Sequence, residues 1–446
     1  MAEQVDVVVV GAGASGLAAA ADLTARGRSV AVLEARDRIG GKIWTVPLAG
    51  HPVDLGAHWI GPGQDRMYAL AGRLGLTVEP QRLKGRAVAL TSRGRRTTRS
   101  SQIPPVPLRA NLEMLRLGIR LERAARRLDR DQPWVGDDLA ESDVNTLASR
   151  PLRHRDTRGL LSIMTRTVAG AEPAEMSELG VMALRRGSTS LARLVSFKGG
   201  AQQDHLVEGM GAVVDGLAEP VRHLVRTGHP VESVDQRGEQ VVVTAGGEEV
   251  TCRAVVVATA PRQRRDIRWF PELPLDHRHL TGTGLGAYSK FVIAFDRPFW
   301  RDRGLSGLVL GLDHTVQMVV DLGADDVGLL AAFVTGQPAR DLARLDEPAR
   351  HAAVAADLVA ALGPAAAEEH WRGVVSHQWR EDPWSRGAPV TVFGPGAYLA
   401  GAPALARPHG RVHWAGTDSA NRWSGYVEGA LQAGERAAAE VDALLG

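Results

Sequence analysis

Hydrophobic positions along the chain fall into blocks whose spacing changes with position. Residues 5–10 read VDVVVV, β-branched and apolar on both faces, as a central parallel strand requires. A glycine turn follows, then an alanine-rich helix to about Arg26 and a second strand over 29–33, which together make a βαβ unit. Residues 108–130 carry Leu108, Leu112, Leu115 and Ile119 on one helical stripe, and further helical segments run to about Val195. From Val231 the pattern turns to strands: 241–243 and 254–258, broken by Gly246-Gly247, and an alternating strand over 291–295 that ends at Pro298. A helix over 347–362 stops at Gly363-Pro364, and 425–445 reads as one alanine-rich helix. Neither an internal repeat nor a low-complexity linker interrupts the chain. The domains are therefore expected to interleave, with 1–78, 205–265 and 405–446 forming one and 79–204 and 266–404 the other, its helical part at about 105–195.

Composition narrows the function. A chain of 446 residues is too long for one ordinary core, so two or three domains are expected. Lys+Arg 53 against Asp+Glu 51 leaves a formal charge of +2, no argument for a nucleic-acid partner, and the arginines over 116–130 read as a solvated helical face. One cysteine, Cys252, excludes an intramolecular disulfide and a cysteine-built metal site, and neither it nor the histidines form a nucleophile or metal constellation. Met1-Ala2-Glu3-Gln4 lacks the order of a signal peptide, and no apolar run approaches the roughly 18 residues that span a bilayer. A cytoplasmic protein without a membrane partner is expected; its oligomeric state is open, a homodimer included.

The chemistry begins in the βαβ unit. Gly11-Ala12-Gly13-Ala14-Ser15-Gly16 is GxGxxG between a strand and a helix. Gly11 permits the tight turn, Gly13 lets the backbone approach a pyrophosphate, and Gly16 allows close helix–strand packing. The helix N-terminus offers free N–H groups to phosphates. Glu34 follows 18 residues after Gly16, where a carboxylate accepts both hydroxyls of an adenosine ribose and repels a 2′-phosphate. The fingerprint alone does not separate FAD from NAD. Glu34-Ala35-Arg36-Asp37-Arg38-Ile39-Gly40-Gly41-Lys42 does, because it resembles the extended FAD signature of glutathione-reductase-type flavoproteins, a segment that lies along the pyrophosphate. Those proteins have arginine where this chain has Lys42, which keeps the charge but loses bidentate geometry.

Further segments resemble the flavin monoamine oxidase family, which includes the polyamine oxidases. Val53-Asp54-Leu55-Gly56-Ala57-His58-Trp59-Ile60-Gly61 is similar to the segment that passes the flavin ring, in wording closest to the polyamine oxidases. Tyr288-Ser289-Lys290-Phe291 resembles the strand with the family's flavin-site lysine, and Trp379 to Gly387 the segment crossing the flavin face. Trp414-Ala415-Gly416-Thr417-Asp418 and Trp423-Ser424-Gly425-Tyr426-Val427-Glu428-Gly429-Ala430 resemble the C-terminal flavin motif. The order holds from residue 5 to 440. The resemblance implies a mixed α/β fold: a glutathione-reductase-type, FAD-binding Rossmann domain with an interleaved substrate domain of sheet plus helices. Val231 falls where the family's backbone holds the adenine. Five of the ten tryptophans (Trp59, Trp379, Trp384, Trp414, Trp423) lie in these motifs and offer walls for a flavin, although each taken singly reads first as core.

By the same resemblance, an amine gives hydride from its α-carbon to flavin N5, the imine hydrolyses, and O2 is reduced to H2O2. Lys290 is the catalytic side chain, holding a water at N5. Tyr426 supplies one of two rings that frame the amine; the other position falls at Pro389, which leaves that side open unless Trp384 supplies a ring. His58 reads equally as a substrate contact and as a core histidine. The position that carries a flavin thioether in many relatives is Ala388, so FAD is expected to be non-covalent. Another flavin reaction on the same fold (amino-acid oxidation, desaturation or a biosynthetic oxidase step), a non-catalytic flavin protein and an NAD-dependent dehydrogenase remain as alternatives.

Overall fold

The computed structural model describes residues 3–91, 93–98, 106–188 and 190–446; Met1, Ala2 and the boundary expected near residue 105 lie outside them. Val7–Val10 pairs in parallel with Val30–Leu33 on one side and Ala254–Val257 on the other, and all three strands are buried throughout. Val225–Arg226 and Val412–Trp414 complete a five-stranded, all-parallel sheet. It draws strands from the beginning, middle and end of the chain.

Parallel sheets need cover on both faces. On one face Ala14–Ala25, Gly211–Ala218 and Val427–Leu445 bury Val7, Val9, Val30, Val32 and Val256. On the other, Val8, Val10, Ala31 and Leu33 meet Val234, Val241, Val243 and Val250 of a mixed sheet built from Val231–Asp235, Val241–Ala245 and Glu248–Cys252. Arg268–Phe270 pairs in parallel with Val231–Asp235, so this unit runs on past residue 265. The first and last helices approach closely because both are rich in alanine and glycine. A Cβ on Gly434 would sit 2.3 Å from the Ser15 carbonyl oxygen and 3.1 Å from Ala18 Cβ.

The second unit is a seven-stranded sheet in the order Trp371–Gln378, Tyr288–Phe295, Gly328–Thr335, Met318–Asp321, Leu305–Gly311, Arg86–Thr91, Gly94–Thr98. The alternation expected over 291–295 is one of faces, not of burial. Phe291, Ile293 and Phe295 pack towards Glu347–Leu362, Val292 and Ala294 pack towards Val53 and Leu55, and every residue from Ser289 to Phe295 is buried. The helix Glu347–Leu362 has the expected bounds: the Asp346 side chain accepts from the Ala349 amide, and Gly363, at φ +93°, ends it.

The helical part brings a correction. The helix Leu108–Ala125 is shorter than 108–130, and its apolar stripe does not face the core: Leu108 is 73% exposed, and Leu112, Leu115 and Ile119 are also exposed. The buried face is Ala110, Leu117, Leu121 and Ala125, packed against the helices Arg155–Ala169 and Glu178–Arg186. Both sets recur at helical spacing, and periodicity finds a helix without saying which of two stripes meets a neighbour. Among the described residues no helix is long and apolar enough to cross a membrane, and no cluster of three or more His, Cys, Asp or Glu is arranged to hold a metal.

Two glycines report on this packing. Gly434→Val drives side-chain atoms into the Ser15 backbone and is expected to destabilise the fold by about 2–4 kcal/mol. Gly118→Ala, in a helix where an added Cβ meets nothing within 4 Å, should instead stabilise by about 0.5–1 kcal/mol. Thermal or denaturant unfolding of the two variants checks both signs; an unchanged midpoint for Gly434→Val would refute the close approach.

Candidate active site

The site grows from the C-terminal edge of the parallel sheet. The Gly11 amide donates to the Leu33 carbonyl (2.8 Å) and Gly11 takes φ +99°, which turns the chain at the strand end. Gly16 does not line the cavity; it permits packing, since a Cβ there would lie 1.9 Å from the Gly11 carbonyl oxygen. The Glu34 carboxylate accepts from the Ala12 amide (2.7 Å) and the Arg36 amide (2.9 Å), which fixes it at the mouth of the turn. The second glycine segment closes on the first: the Gly40 amide donates to the Ala12 carbonyl (2.8 Å), and a Cβ on Gly41 would stand 3.3 Å from Gly13 Cα. Ser15 Oγ accepts from the Gly416 amide (2.8 Å), which draws the C-terminal segment to the same place.

One cavity opens from here. Gly11, Gly13, Ala14, Ser15, Glu34, Ala35, Arg36, Gly41, Lys42 and Val231 line its first part. Gly56, Ala57, His58, Trp59, Trp379, Trp384, Pro389, Gly416, Thr417, Asp418, Tyr426 and Val427 line it as well. Trp414 and Trp423 stand outside it. Trp414 is fully buried in the core between the two sheets of the first unit, and Trp423 packs on Tyr426 with ring centroids 5.1 Å apart.

The charged lining residues are each engaged. Arg36 pairs with Asp382 (2.6 Å), Lys42 Nζ donates to the Ala388 carbonyl (2.8 Å), Asp266 pairs with Arg386 (2.8 Å), and Asp418 accepts from the Thr391 amide (2.8 Å). Lys42 thus reaches across to the segment opposite, which explains how a lysine serves there without a guanidinium fork. Trp384 sits by the Arg36–Asp382 pair, with its amide on Asp382, and is 41% exposed; among the described residues it has no ring contact with Tyr426.

Lys290 does not line the cavity wall, yet it lies directly behind it. The ammonium is fully buried, donates to the Gly56 carbonyl (3.3 Å) and stands 5.1 Å from the Phe333 ring centroid. Burial pushes its pKa down to about 8, against the pull of Asp54. Gly56 admits no side chain, because a Cβ would lie 1.9 Å from the Lys42 carbonyl oxygen and 3.2 Å from the Trp379 ring. Trp379 Nε1 donates to the Leu55 carbonyl (2.9 Å), so the ring and this backbone move as one.

Several lining residues escape sequence reasoning. Thr167, Val168, Leu194, Gln202 and Phe333 belong to no motif. Only Phe333 had an indirect signal: it is the register partner of Lys290 in the neighbouring strand, a pairing visible only once the sheet is built. Phe333 stacks on Trp59 (5.4 Å) and meets Tyr288 edge-on (6.1 Å), making an aromatic wall that no single segment announces.

The arrangement fits a flavin dinucleotide. Glu34 stands ready for a ribose, and two glycine backbones and the N-terminus of Ala14–Ala25 face the place of a pyrophosphate. Beyond them an apolar chamber between Trp379, Tyr426 and Tyr288 accepts a flat ring system. Comparison with known proteins agrees over the whole length. The family described as flavin containing amine oxidoreductase matches residues 14–442. A Mycobacterium tuberculosis chain, AofH, provisionally assigned as a flavin-containing monoamine oxidase, is 35% identical, covering 99% of this chain and 97% of its own. Solved structures of a putrescine oxidase with putrescine bound (29% identity) and of a cyclohexylamine oxidase from Brevibacterium oxydans (30%) superpose with TM-scores of 0.92. The putrescine oxidase match covers 99% of both chains, and so does the cyclohexylamine oxidase match. The chain belongs to the family of flavin-containing amine oxidoreductases, with FAD as its cofactor.

Proposed function

We propose that this chain oxidises apolar monoamines, with FAD held non-covalently and O2 as the electron acceptor. The observation that carries the substrate class is the lining of the chamber at the Tyr426 end. Trp59, Val168, Leu194, Tyr288, Phe333 and Tyr426 present apolar surface there, and His58, Thr167 and Gln202 are its polar groups. Among the described residues the carboxylates that line the cavity, Glu34, Asp266 and Asp418, are bound elsewhere, as are the cations Arg36 and Lys42. A second ammonium, as in a diamine, or the carboxylate of an amino acid would be buried without a counter-charge, at a cost of several kcal/mol.

Bound FAD supplies the redox chemistry, taking hydride from the amine α-carbon and passing electrons to O2 with H2O2 as product. The chain's own part is to bind, orient and exclude water. Segments 1–78, 205–270 and 405–446 hold the dinucleotide and add His58, Trp59 and Tyr426 to the chamber, and 79–204 with 271–404 contribute the other helices and strands around the amine. Tyr426 is held by its hydroxyl on the Leu194 carbonyl (3.4 Å) and forms one wall. Pro389 leaves the facing side without a ring, which admits bulkier amines. Lys290 keeps a cation behind Gly56, where it stabilises negative charge that develops as oxygen is reduced. Ala388 has no nucleophilic atom, so no thioether forms at that position. Burial pushes the pKa of the lone cysteine, Cys252, up to about 12, so its thiol is not a reactive group.

Anaerobic mixing with a panel of amines tests the reading. Apolar monoamines should bleach the flavin, and putrescine and amino acids should do so at least about 100-fold less efficiently; the opposite order would overturn the assignment. Glu34→Ala removes two charge-assisted hydrogen bonds to the ribose and should weaken FAD binding by roughly 100-fold, read as flavin content after gel filtration. Acid precipitation of the native protein should leave all yellow colour in the supernatant, whereas colour retained by the pellet would mean a covalent link.

Lys290 gives a prediction with a sign. Its ammonium is charged below about pH 8 and loses its proton above it, so flavin reoxidation by O2 should slow as pH rises through about 8. Lys290→Met should reoxidise at least roughly tenfold more slowly at pH 7 and show no such step, with FAD still bound. Stopped-flow reoxidation decides this, and an unchanged rate would make Lys290 purely structural.

A further inference from the structure

The segment 379–389 follows the edge strand Trp371–Gln378 of the seven-stranded sheet and passes along the cavity that the first unit opens. Its Ser385, Gly387 and Ala388 line that cavity, as do Gly13, Gly41 and Lys42 of the two glycine turns. The segment is a loop that closes on itself, since the Gly387 amide donates to the Trp379 carbonyl (3.1 Å). Within it Asp382 Oδ1 accepts from the Trp384 amide (2.9 Å) and the Ser385 amide (2.8 Å), which fixes the bend. At its base Trp379 Nε1 is tied to the Leu55 carbonyl.

Beyond that base, side chains of the first unit hold the loop down. Arg36 Nη2 donates to Asp382 Oδ1 (2.6 Å) and to Ser385 Oγ (2.7 Å), and Gln263 Nε2 donates to the Ser385 carbonyl (2.5 Å). Lys42 Nζ donates to the carbonyl of Ala388 (2.8 Å), the residue at which a thioether is chemically closed off. A further pair, Arg386 with Asp266, ties the loop from outside (2.8 Å). Exposure separates these contacts. The side chains of Arg36 and Asp382 are 10% and 8% exposed, whereas those of Arg386 and Asp266 are each 42% exposed, where water screens the attraction. Burial opposes the charge on Asp382, but His377 and Arg36 outweigh it and hold the carboxyl well below the usual carboxylate range. The buried pair is therefore ionised at neutral pH.

We propose that the segment 379–389 is a strap over the cofactor, that FAD enters and leaves only when it lifts, and that Asp382 and Lys42 are the positioning residues that keep it down. The inference rests on the non-covalent reading above. A chain with no bond to its flavin retains it by releasing it slowly, and a cofactor seated between two walls of one cavity escapes only as fast as those walls part. Arg36 and Lys42 stand where cations would be expected to meet a pyrophosphate, yet both give donors to the opposite loop. The phosphates are left to backbone amides and the helix N-terminus, and the two cations lace the substrate unit onto the dinucleotide unit.

Asp382→Asn tests this with little change of shape, because its amide oxygen still accepts from the Trp384 and Ser385 amides while the charge that holds Arg36 is gone. Lys42→Met removes the donor to Ala388, and Lys42→Arg restores one. Each holoenzyme is mixed with charcoal that takes up free FAD, and the flavin left on the protein is followed with time; dilution of the same holoenzyme gives Kd. Asp382→Asn and Lys42→Met should release FAD at least roughly tenfold faster than the wild type, and Lys42→Arg should stay within about threefold of it. A loosened gate speeds entry and exit alike, so Kd should rise by less than about threefold, whereas a lost contact to FAD itself would raise Kd and the release rate together. Release no faster than wild type in Asp382→Asn and Lys42→Met, or Kd rising in step with it, overturns the proposal. An equal acceleration in Arg386→Ala also overturns it, by placing the hold in the exposed pair. If one of the two variants does not fold, the other decides by the same criterion. Flavin that even acid does not free from the wild-type chain would instead bring down the non-covalent reading, and this inference with it.

Discussion

Val7–Val10 is hydrogen-bonded on both edges and buried on both faces, and that double confinement organises the molecule. A strand so enclosed has one exit, its C-terminal end, where the chain must turn at once into a helix that covers the sheet. The turn needs Gly11 at positive φ and Gly16 without a Cβ, which leaves backbone N–H groups unpaired at the helix start. Glu34 ends the adjacent strand, so its carboxylate arrives at the same edge and is fixed there by the Ala12 and Arg36 amides. Gly40, Gly41 and Gly416 then close on this turn through backbone contacts that a side chain would prevent. The dinucleotide end of the cavity is thus a consequence of how a buried parallel strand terminates.

The chamber beyond it follows a different rule. Charges that enter the cavity from the dinucleotide end are each matched, Arg36 by Asp382 and Asp266 by Arg386, and Lys42 rests on a carbonyl. The amine end has apolar and aromatic walls, and two buried charged groups lie just behind them, Lys290 under Gly56 and Asp54 beside His58. Burial depresses the ammonium, while hydrogen bonds and the nearby cation keep the carboxyl ionised, so each group steadies the other's charge across the floor of the chamber. Charges held this way act on reacting groups with little screening, which suits a site whose redox chemistry belongs to the cofactor.

Much of this is legible in the residues themselves, for local reasons. GxGxxG between a β-branched strand and an alanine-rich helix has one economical conformation, so Gly11, Gly13, Gly16 and Glu34 declare the fold of the first unit. The helix Glu347–Leu362 carries its own stop signals and keeps its expected bounds. Lys290 on a strand of large apolar residues has to be buried, as it is. The family motifs add the segments around Gly56, Trp379 and Tyr426, and all of these line the same cavity.

Tertiary structure alone decided the rest, because those features depend on which surfaces meet. Helical spacing revealed Leu108–Ala125 but not that Ala110, Leu117 and Leu121 rather than Leu108 and Leu115 would be covered, since both stripes have the same period. Burial of both faces of Tyr288–Phe295 required helix Glu347–Leu362 on one side and Val53 and Leu55 on the other. Trp384 and Tyr426 lie in neighbouring motifs, yet the ion pair of Arg36 with Asp382 holds the tryptophan beside a different part of the cavity. Phe333, Thr167 and Gln202 reach the chamber from a strand, a helix and a loop that share no pattern. Patterns along the chain record which elements form and which turns their glycines allow; the pairing of faces, and with it the shape of the amine chamber, is a long-range choice that no local spacing encodes.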